Sequence, residues 1–457
     1  MTPSHPPQSR AGRRVAERTA RRKTRRHGRR AAAVAAVAAV VGLGLALTGV
    51  VPVPGLSELL AAPAGEAEGG AAPSPSPSPT ATPTPTPTPP PPPPDTVLTI
   101  VAAGDVLLHE PVMSSARTAT GWDFAPLLEP IRPFVEGADL ALCHLEVPVM
   151  PPGSSPSGYP LFGAPPAIAA SLAANGWDGC STASNHSVDR GAAGVAATLE
   201  ALGAAGLGHV GTARTPEEAT PQVYDVVRAA GTTRIAHLAA TYGTNGMPVP
   251  AGAPWTVTLL DTAAIVAQAA AAREAGADLV LVSVHCCVEY VSAPTAQQAA
   301  IAEELAASGV VDLVIGHHAH VPQPVARLAG GPRGEGMWVA YGLGNLISNQ
   351  DGACCSPATD SGLLLTATVR HPADGPATVE GVDWTAVTVD RFDGHLVHPL
   401  SPAVAAGTGA GRLDAAAVAA RHARVAGVVG PEAPERLVPP APTGPAPVVV
   451  PRPAATP

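Results

Sequence analysis

From Thr96 onward, short apolar runs of strand length alternate with Ala-rich windows of helix length, and nearly every apolar run ends in a His, Asp, Glu or Asn. Strand, helix, strand order predicts a parallel or mixed sheet with helices on both faces, so the expected class is α/β. The predicted strands are Val97–Ala103, Leu140–Leu145, Gly179–Ala183, Ile235–Ala240, Leu279–Val284, Leu313–Ile315, Trp338–Tyr341 and Leu363–Val369. The predicted helices are Pro166–Asn175, Ala192–Ala205, Thr262–Ala275 and Thr295–Ser308. Aromatic residues make up only 3% of the chain, so the core must be built from Val, Leu, Ile and Ala, which suits helices packed on a parallel sheet.

The rest of the 457 residues is organised differently. Eleven of the 27 Lys and Arg lie in residues 1–30 against one of the 36 Asp and Glu, so the remainder holds 16 basic and 35 acidic residues, a net −19. That balance excludes a nucleic-acid partner for the remainder. Ala31–Val53 carries no charge and is long enough to span a bilayer at ~20 residues. With the Arg-rich flank before it, the positive-inside rule places the N-terminus in the cytoplasm and the rest outside, a single-pass cell-membrane protein with an extracellular C-terminal domain. A cleaved signal peptide is the competing reading of the same run. Residues 73–94 alternate Pro with Ser or Thr and end in a Pro run, a polyproline II spacer. The expected division is a basic segment at 1–30, an anchor at 31–54, a Pro/Ser/Thr-rich linker at 55–95, one folded domain at 96–400, and a largely disordered Ala/Pro-rich tail at 401–457 with one helical window near Leu413–Val425.

In open α/β sheets the carboxyl ends of the strands open onto one crevice, so the polar residues that end these runs should converge. The first run leads into Gly104-Asp105, with His109 four residues on. The second holds His144 and ends in Glu146, the third leads to Asn185, His186 and Asp189, and later runs lead to His285 and Glu289, to His317, His318 and His320, and to Asn345. Imidazole with carboxylate and amide oxygen suits Zn, Mn or Fe, and six contributing segments point to two divalent ions. Such a pair polarises a phosphoryl oxygen and stabilises a leaving oxygen, the chemistry of phosphoester hydrolysis. His209, His237, His371, His395 and His398 lack the strand-end context and are read as structural or surface residues.

The ordered series GDVLLH, HLEVP, SNHSVDRG, SVHCCVEY, GHHAHVPQP and YGLGN across residues 104–345 resembles the CapA family of poly-γ-glutamate capsule proteins, itself similar to the calcineurin-like metallophosphoesterases. The resemblance implies a four-layer α/β/β/α sandwich and a divalent-metal site. Carried over by motif, it implies that Asp105 and His109 serve the first metal position and that Glu146 bridges. It further implies that Asn185, His285, His318 and His320 complete the metal shell and that His186, with Asp189, faces the substrate. Two departures stand out: His144 replaces the Asn usual two residues before the bridging carboxylate, which either adds a ligand or merely changes a hydrogen bond, and Cys286-Cys287 replaces an aromatic-Gly pair after His285. The implied function is polymer production or attachment at the membrane, either as a hydrolase of a phosphoester or polymer end, or as a non-catalytic accessory that holds a polyanionic polymer and a synthase subunit. A polyanion needs metal or a local basic patch, expected around Arg327 and Arg333, to offset the acidic domain.

Export places the six cysteines in an oxidising compartment. Cys143 lies on the strand before Glu146 and Cys180 opens the strand before Asn185, so pairing of these successive strands would place them side by side. The doublets Cys286-Cys287 and Cys354-Cys355 are both expected on the crevice rim, joined by at least one bridge; pairing within each doublet is the competing reading.

Overall fold

The computed structural model describes residues 94–452. The basic segment 1–30, the anchor 31–54 and nearly all of the linker 55–95 lie outside the described residues, among which no helix is long and apolar enough to cross a membrane. In chain order the strands are β1 (Thr96–Val106), β2 (Leu140–Leu145), β3 (Gly179–Ser181), β4 (Gly208–Val210), β5 (Gln222–Arg228), β6 (Gly231–Thr241), β7 (Leu279–His285), β8 (Leu313–His317), β9 (Val325–Leu328), β10 (Met337–Ala340), β11 (Asn345–Ile347), β12 (Ser361–His371), β13 (Thr378–Asp390), β14 (Leu396–Pro399) and β15 (Val448–Val449). The helices are α1 (Glu110–Ser115), α2 (Ala125–Leu128), α3 (Arg132–Glu136), α4 (Ala167–Ala174), α5 (Gly191–Ala204), α6 (Thr262–Glu274), α7 (Ala296–Ser308), α8 (Leu400–Ala406) and α9 (Ala415–Val429).

Two mixed sheets result. One runs β14-β13-β12-β1-β2-β3-β4 with β11 also on β1; the other runs β15-β5-β6-β7-β8-β10-β9. The parallel block β1 to β4 has antiparallel β12 beside β1, and the parallel block β6, β7, β8 and β10 lies between antiparallel β5 and β9. Strand periodicity builds the layers. Leu98, Ile100 and Ala102 of β1 join Leu279 and Leu281 of β7 and Leu313 and Ile315 of β8 in one core between the sheets. The alternate residues Val101 and Ala103 face Val112, Leu127, Ile168 and Leu172 on the helices of one outer face. Val280, Val282 and Val284 face Ile265, Ala269, Ile301 and Leu305 of α6 and α7 on the other. Each such Leu or Ile removed from water contributes about 1.5–3 kcal/mol.

Helix ends follow local chemistry. Asp261 accepts the Ala264 amide at the start of α6, and Thr295 with Gln298 forms a capping box at the start of α7. Gly309, at φ 70°, ends α7 in the left-handed conformation.

The tail expected to be disordered is corrected by the structure between residues 401 and 452. Asp414 caps α9, whose Val418, Val425 and Val429 enter the inter-sheet core. The Pro-rich segment after it then runs as an extended strap: Trp384 donates to Pro434, Arg436 pairs with Asp383, Thr443 donates to Asp139, and β15 adds to the edge of β5. Proline is compatible with an edge, where only alternate amides need partners, so composition alone does not exclude order here.

The disulfide expectation is half met. Cys143 pairs with Cys180, side by side in the β2–β3 register. The doublets pair internally, Cys286 with Cys287 and Cys354 with Cys355, instead of with each other. Strand parity gives the reason. His285 points to the crevice, so Cys286 continues the Val280, Val282, Val284 face and is buried against α6 and α7, whereas Cys354 and Cys355 line the crevice itself.

Candidate functional site

The parallel blocks bring the predicted polar residues together in register. Asp105 lies opposite His144 on one side and Asn345 on the other, and His285 lies opposite His317. Two glycines permit the close approach. A Cβ on Gly104 would stand 2.0 Å from the Gly344 carbonyl oxygen, and one on Gly316 would stand 1.9 Å from that of Tyr341. The segment after β8 is held in the left-handed region, with φ 81° at His318 and 55° at His320, and it brings the His318 amide and the His320 ring to Asp105 of β1.

The side chains then interlock. Asp105 Oδ2 lies 3.0 Å from His320 Nδ1 and accepts the His318 amide at 3.3 Å, while Asp105 Oδ1 lies 3.4 Å from His317 Nδ1 and 4.0 Å from His144 Nε2. Glu146 Oε1 is 3.7 Å from His320 Nε2 and 3.9 Å from His285 Nε2. His285 Nε2 also meets Asn185 Oδ1 at 2.9 Å, and its Nδ1 meets His144 Nε2 at 2.9 Å; His144 Nδ1 in turn meets Ser181 Oγ at 2.7 Å. Ligand atoms of Asp105, Glu146 and His320, of Asp105, His144 and His285, and of Glu289, His318 and His320 fall into three groups, each within 4.8 Å. The first two groups share Asp105, and His320 links the first to the third.

Burial makes this arrangement costly without a cation. Asp105 and Glu146 are fully buried, and both Glu146 oxygens, Asp105 Oδ1 and His318 Nδ1 lack a hydrogen-bond partner in the protein. Burial pushes the Glu146 carboxyl well above its usual range. Burial pushes Asp105 upward too, but the adjacent His317 and His320 imidazoles outweigh it and hold that carboxyl well below the usual value. Burial holds the His144 and His285 imidazoles well below their ordinary value and lowers His318 to about 3. His320 goes the other way: against burial, Glu146 and Asp105 raise it to about 9. Unpartnered carboxyl oxygens facing a cluster of imidazoles form a donor set that fits divalent ions.

Beside this cluster opens a cavity of about 670 Å³ lined by His186, Asp189, Glu289, His320, Phe162 and Met247 among others, with no Lys or Arg. His186 Nδ1 is 2.7 Å from Asp189 Oδ2, which also accepts the Phe162 amide at 2.8 Å. Asn245 Nδ2 reaches His186 Nε2 at 3.5 Å. Of the residues assigned by motif, Asp105, Glu146, Asn185, His285, His318 and His320 come together, and His186 with Asp189 forms a pair on the cavity wall. His109 does not join the cluster; it lines the cavity and takes the Asn349 amide on Nδ1 at 3.3 Å. His144 belongs to the cluster fully, as its strand-end position had signalled. Asn245 was missed; it lies in the loop after β6 and no strand-end signal marks it. The Arg327 and Arg333 region is not a basic patch: Arg333 pairs with Glu335, and Asp312 and Glu380 line the same hollow.

Residues 99–350 match the family described as bacterial capsule synthesis protein PGA_cap. Over 172 residues the chain is 28% identical to the capsule biosynthesis protein CapA of Bacillus anthracis, covering 37% of this chain and 39% of that one, so it spans about two fifths of that relative's length. Among solved structures, the mixed α/β two-sheet fold is similar to the calcineurin-like phosphoesterase YfkN of Bacillus subtilis (16% identity, TM-score 0.38, 65% of this chain and 91% of that one). It is also similar to the NAD nucleotidase NadN of Haemophilus influenzae (14% identity, TM-score 0.39, 65% of this chain and 52% of that one). The family match takes in more than half of the chain and nearly every segment that contributes to the cluster, and on that ground the chain belongs to the bacterial capsule synthesis protein family PGA_cap.

Proposed function

We propose that this chain is an exported, membrane-tethered member of the family in which two divalent ions, Mn, Zn or Fe, sit between the two sheets of an α/β/β/α sandwich and serve hydrolysis of a phosphoester or polymer end during capsule polymer production. One observation carries the reading: the buried Glu146 carboxyl, without a partner on either oxygen, faces a cluster of imidazoles beside an open cavity. Asp105, Glu146, Asn185, His285, His318 and His320 would hold the ions, with His144 available as a further donor. When bound, the ions supply Lewis-acid polarisation and the positive charge that a cavity without Lys or Arg otherwise lacks. Asp189 fixes the ring of His186 through Nδ1, leaving Nε2 to hold or deliver a proton at the leaving oxygen. Phe162 and Met247 exclude water from one wall.

The test is metal content and Mn-dependent hydrolysis of a generic phosphodiester by the full-length chain. About two ions per chain, with turnover that His186→Ala abolishes while metal content stays, is the expected result; a chain that takes up no metal overturns the proposal. The second reading, a metal-stabilised scaffold that holds an anionic polymer and its synthase at the membrane, is favoured by the relative's role in capsule biosynthesis. It predicts metal without turnover, and a His186→Ala variant that still supports polymer production. The tether has its own check. Protease added to intact cells should remove the outer domain and leave a short protected N-terminal fragment, whereas spontaneous release of a chain starting near residue 55 would show a cleaved signal.

A further inference from the structure

We propose that His109 is a hydrogen-bond donor to the ligand rather than a metal ligand, held with its proton on Nε2 by a chain of contacts from Ser115 through His395 and Asn349. The proposal rests on the preceding reading for the nature of the ligand, an oxyanion such as a phosphoryl group.

The argument begins at the ring. The Asn349 backbone N–H donates to His109 Nδ1 at 3.3 Å, so that nitrogen carries no proton. Burial lowers His109 to about 4, so the ring is neutral and its single proton sits on Nε2. Among the described residues the hydrogen bond of the His109 ring is the one at Nδ1, and the residue lines the cavity. A protonated imidazole nitrogen has no lone pair for a metal, which agrees with the absence of His109 from the three ligand groups.

The backing is built with equal definition. Asn349 Oδ1 lies 3.0 Å from His395 Nε2 and 3.1 Å from Arg391 Nε. The guanidinium can only donate, which identifies the Asn349 atom as the carbonyl oxygen and makes His395 Nε2 a donor as well. The other His395 nitrogen, Nδ1, is then the acceptor for the Ser115 hydroxyl at 2.8 Å. His395 is 5% exposed, and its whole bonding capacity is spent on this task. It holds the loop after β11 so that the Asn349 amide meets His109.

The consequence is a wall with two imidazoles of different character. His109 and His186 flank Phe162, with ring centroids 5.3 and 4.7 Å from it. His186 has Asp189 at Nδ1 and the Asn245 side chain 3.5 Å from Nε2; His109 offers a fixed N–H. For an anion in a cavity lined by Asp189 and Glu289, that N–H adds a donor the bound ions do not supply.

The test uses the full-length chain with three readouts. Long-range 1H–15N spectra of 15N-histidine-labelled protein, with the His109 signals identified by their loss in His109→Gln, should show the Nε2–H tautomer; the Nδ1–H tautomer overturns the proposal. His109→Ala should keep Mn2+ affinity within about twofold while inorganic phosphate binds the Mn2+-loaded chain about tenfold more weakly, the effect of one hydrogen bond to a charged group. His109→Gln, which restores an N–H, should recover part of that loss. His395→Ala should give mixed His109 tautomers and a smaller loss of phosphate affinity with Mn2+ binding intact. Loss of Mn2+ in His109→Ala, or unchanged phosphate affinity, overturns the proposal. A wild-type chain that takes up no Mn2+ overturns the metal reading instead, and the tautomer measurement then decides this inference alone.

Discussion

Replacing Glu146 by Met separates metal binding from folding, because the two are expected to move in opposite directions. The side chain is fully buried and both carboxyl oxygens lack a partner. Met keeps the length and removes both oxygens, so without metal the variant should gain the penalty of a buried unpartnered polar group, about 1–3 kcal/mol. At about 2 °C per kcal/mol for a domain of this size, that is a rise of roughly 2–6 °C in the melting temperature without metal. The response to metal should reverse. A ligand at 100 times its Kd stabilises by about 2.7 kcal/mol, so Mn2+ should raise the wild-type melting temperature by about 5 °C and leave the variant unmoved. Scanning calorimetry of both proteins with Mn2+ and with chelator reads all four values. A variant that retains the Mn2+ shift removes Glu146 from the metal site. A variant that loses more than about 1 kcal/mol without metal shows that the carboxyl serves the fold.

Three further outcomes are expected. His318→Ala with His320→Ala should strip metal from a chain that remains folded by circular dichroism, since neither side chain contributes to the three hydrophobic clusters; full metal stoichiometry would sink the assignment. Gly104→Ala should destabilise by about 1–3 kcal/mol and weaken metal binding, because its Cβ meets the Gly344 backbone at 2.0 Å and must push Asp105 away from Asn345. Asp178, raised to about 7 by burial while accepting the Ala141 amide, binds its proton more tightly folded than unfolded, where its pKa is about 3.9. Its stabilising contribution is therefore present in full below pH ~4 and lost as pH rises toward 7. Asp178→Asn, which keeps the acceptor, should match wild type in urea titrations near pH 4 and exceed it by up to about 4 kcal/mol at pH 8; a constant difference across that range would remove Asp178 as the cause.

What the sequence showed follows from which signals are local. Parallel strands buried on both faces are continuous apolar runs, so β1, β2, β7 and β8 were legible to within a few residues. The Ala-rich windows located α6 and α7 to within a residue at each end. The 13-residue β13 escaped because its pairing with β12 slips by one between Thr368 and Val369, which breaks the alternation by which a half-exposed strand is recognised. β4 and β11, at three residues each, are too short to carry a pattern, and the strap of residues 431–452 is ordered by edges that only the tertiary fold supplies.

The site divides in the same way. Ligands set at the carboxyl ends of parallel strands inherit their convergence from topology, so Asp105, Glu146, Asn185, His285 and His320 could be grouped before any distance was known, while the sequence left His144 open between a further ligand and a changed hydrogen bond. His395 and Asn349 hold the cavity wall from a turn after the antiparallel β13 and from the loop after β11, where no strand-end rule operates. The error over the doublets was of another kind, because the information was present and unused. In β7 the odd-numbered residues Leu279 and Leu281 face the core between the sheets and His285 faces the crevice, so an even-numbered Cys286 had to face the helices. Parity along a single strand is therefore enough to take Cys286 out of a bridge across the crevice, and the same test applied to His144 and Cys143 places the imidazole in the site and the thiol in the outer core, as found.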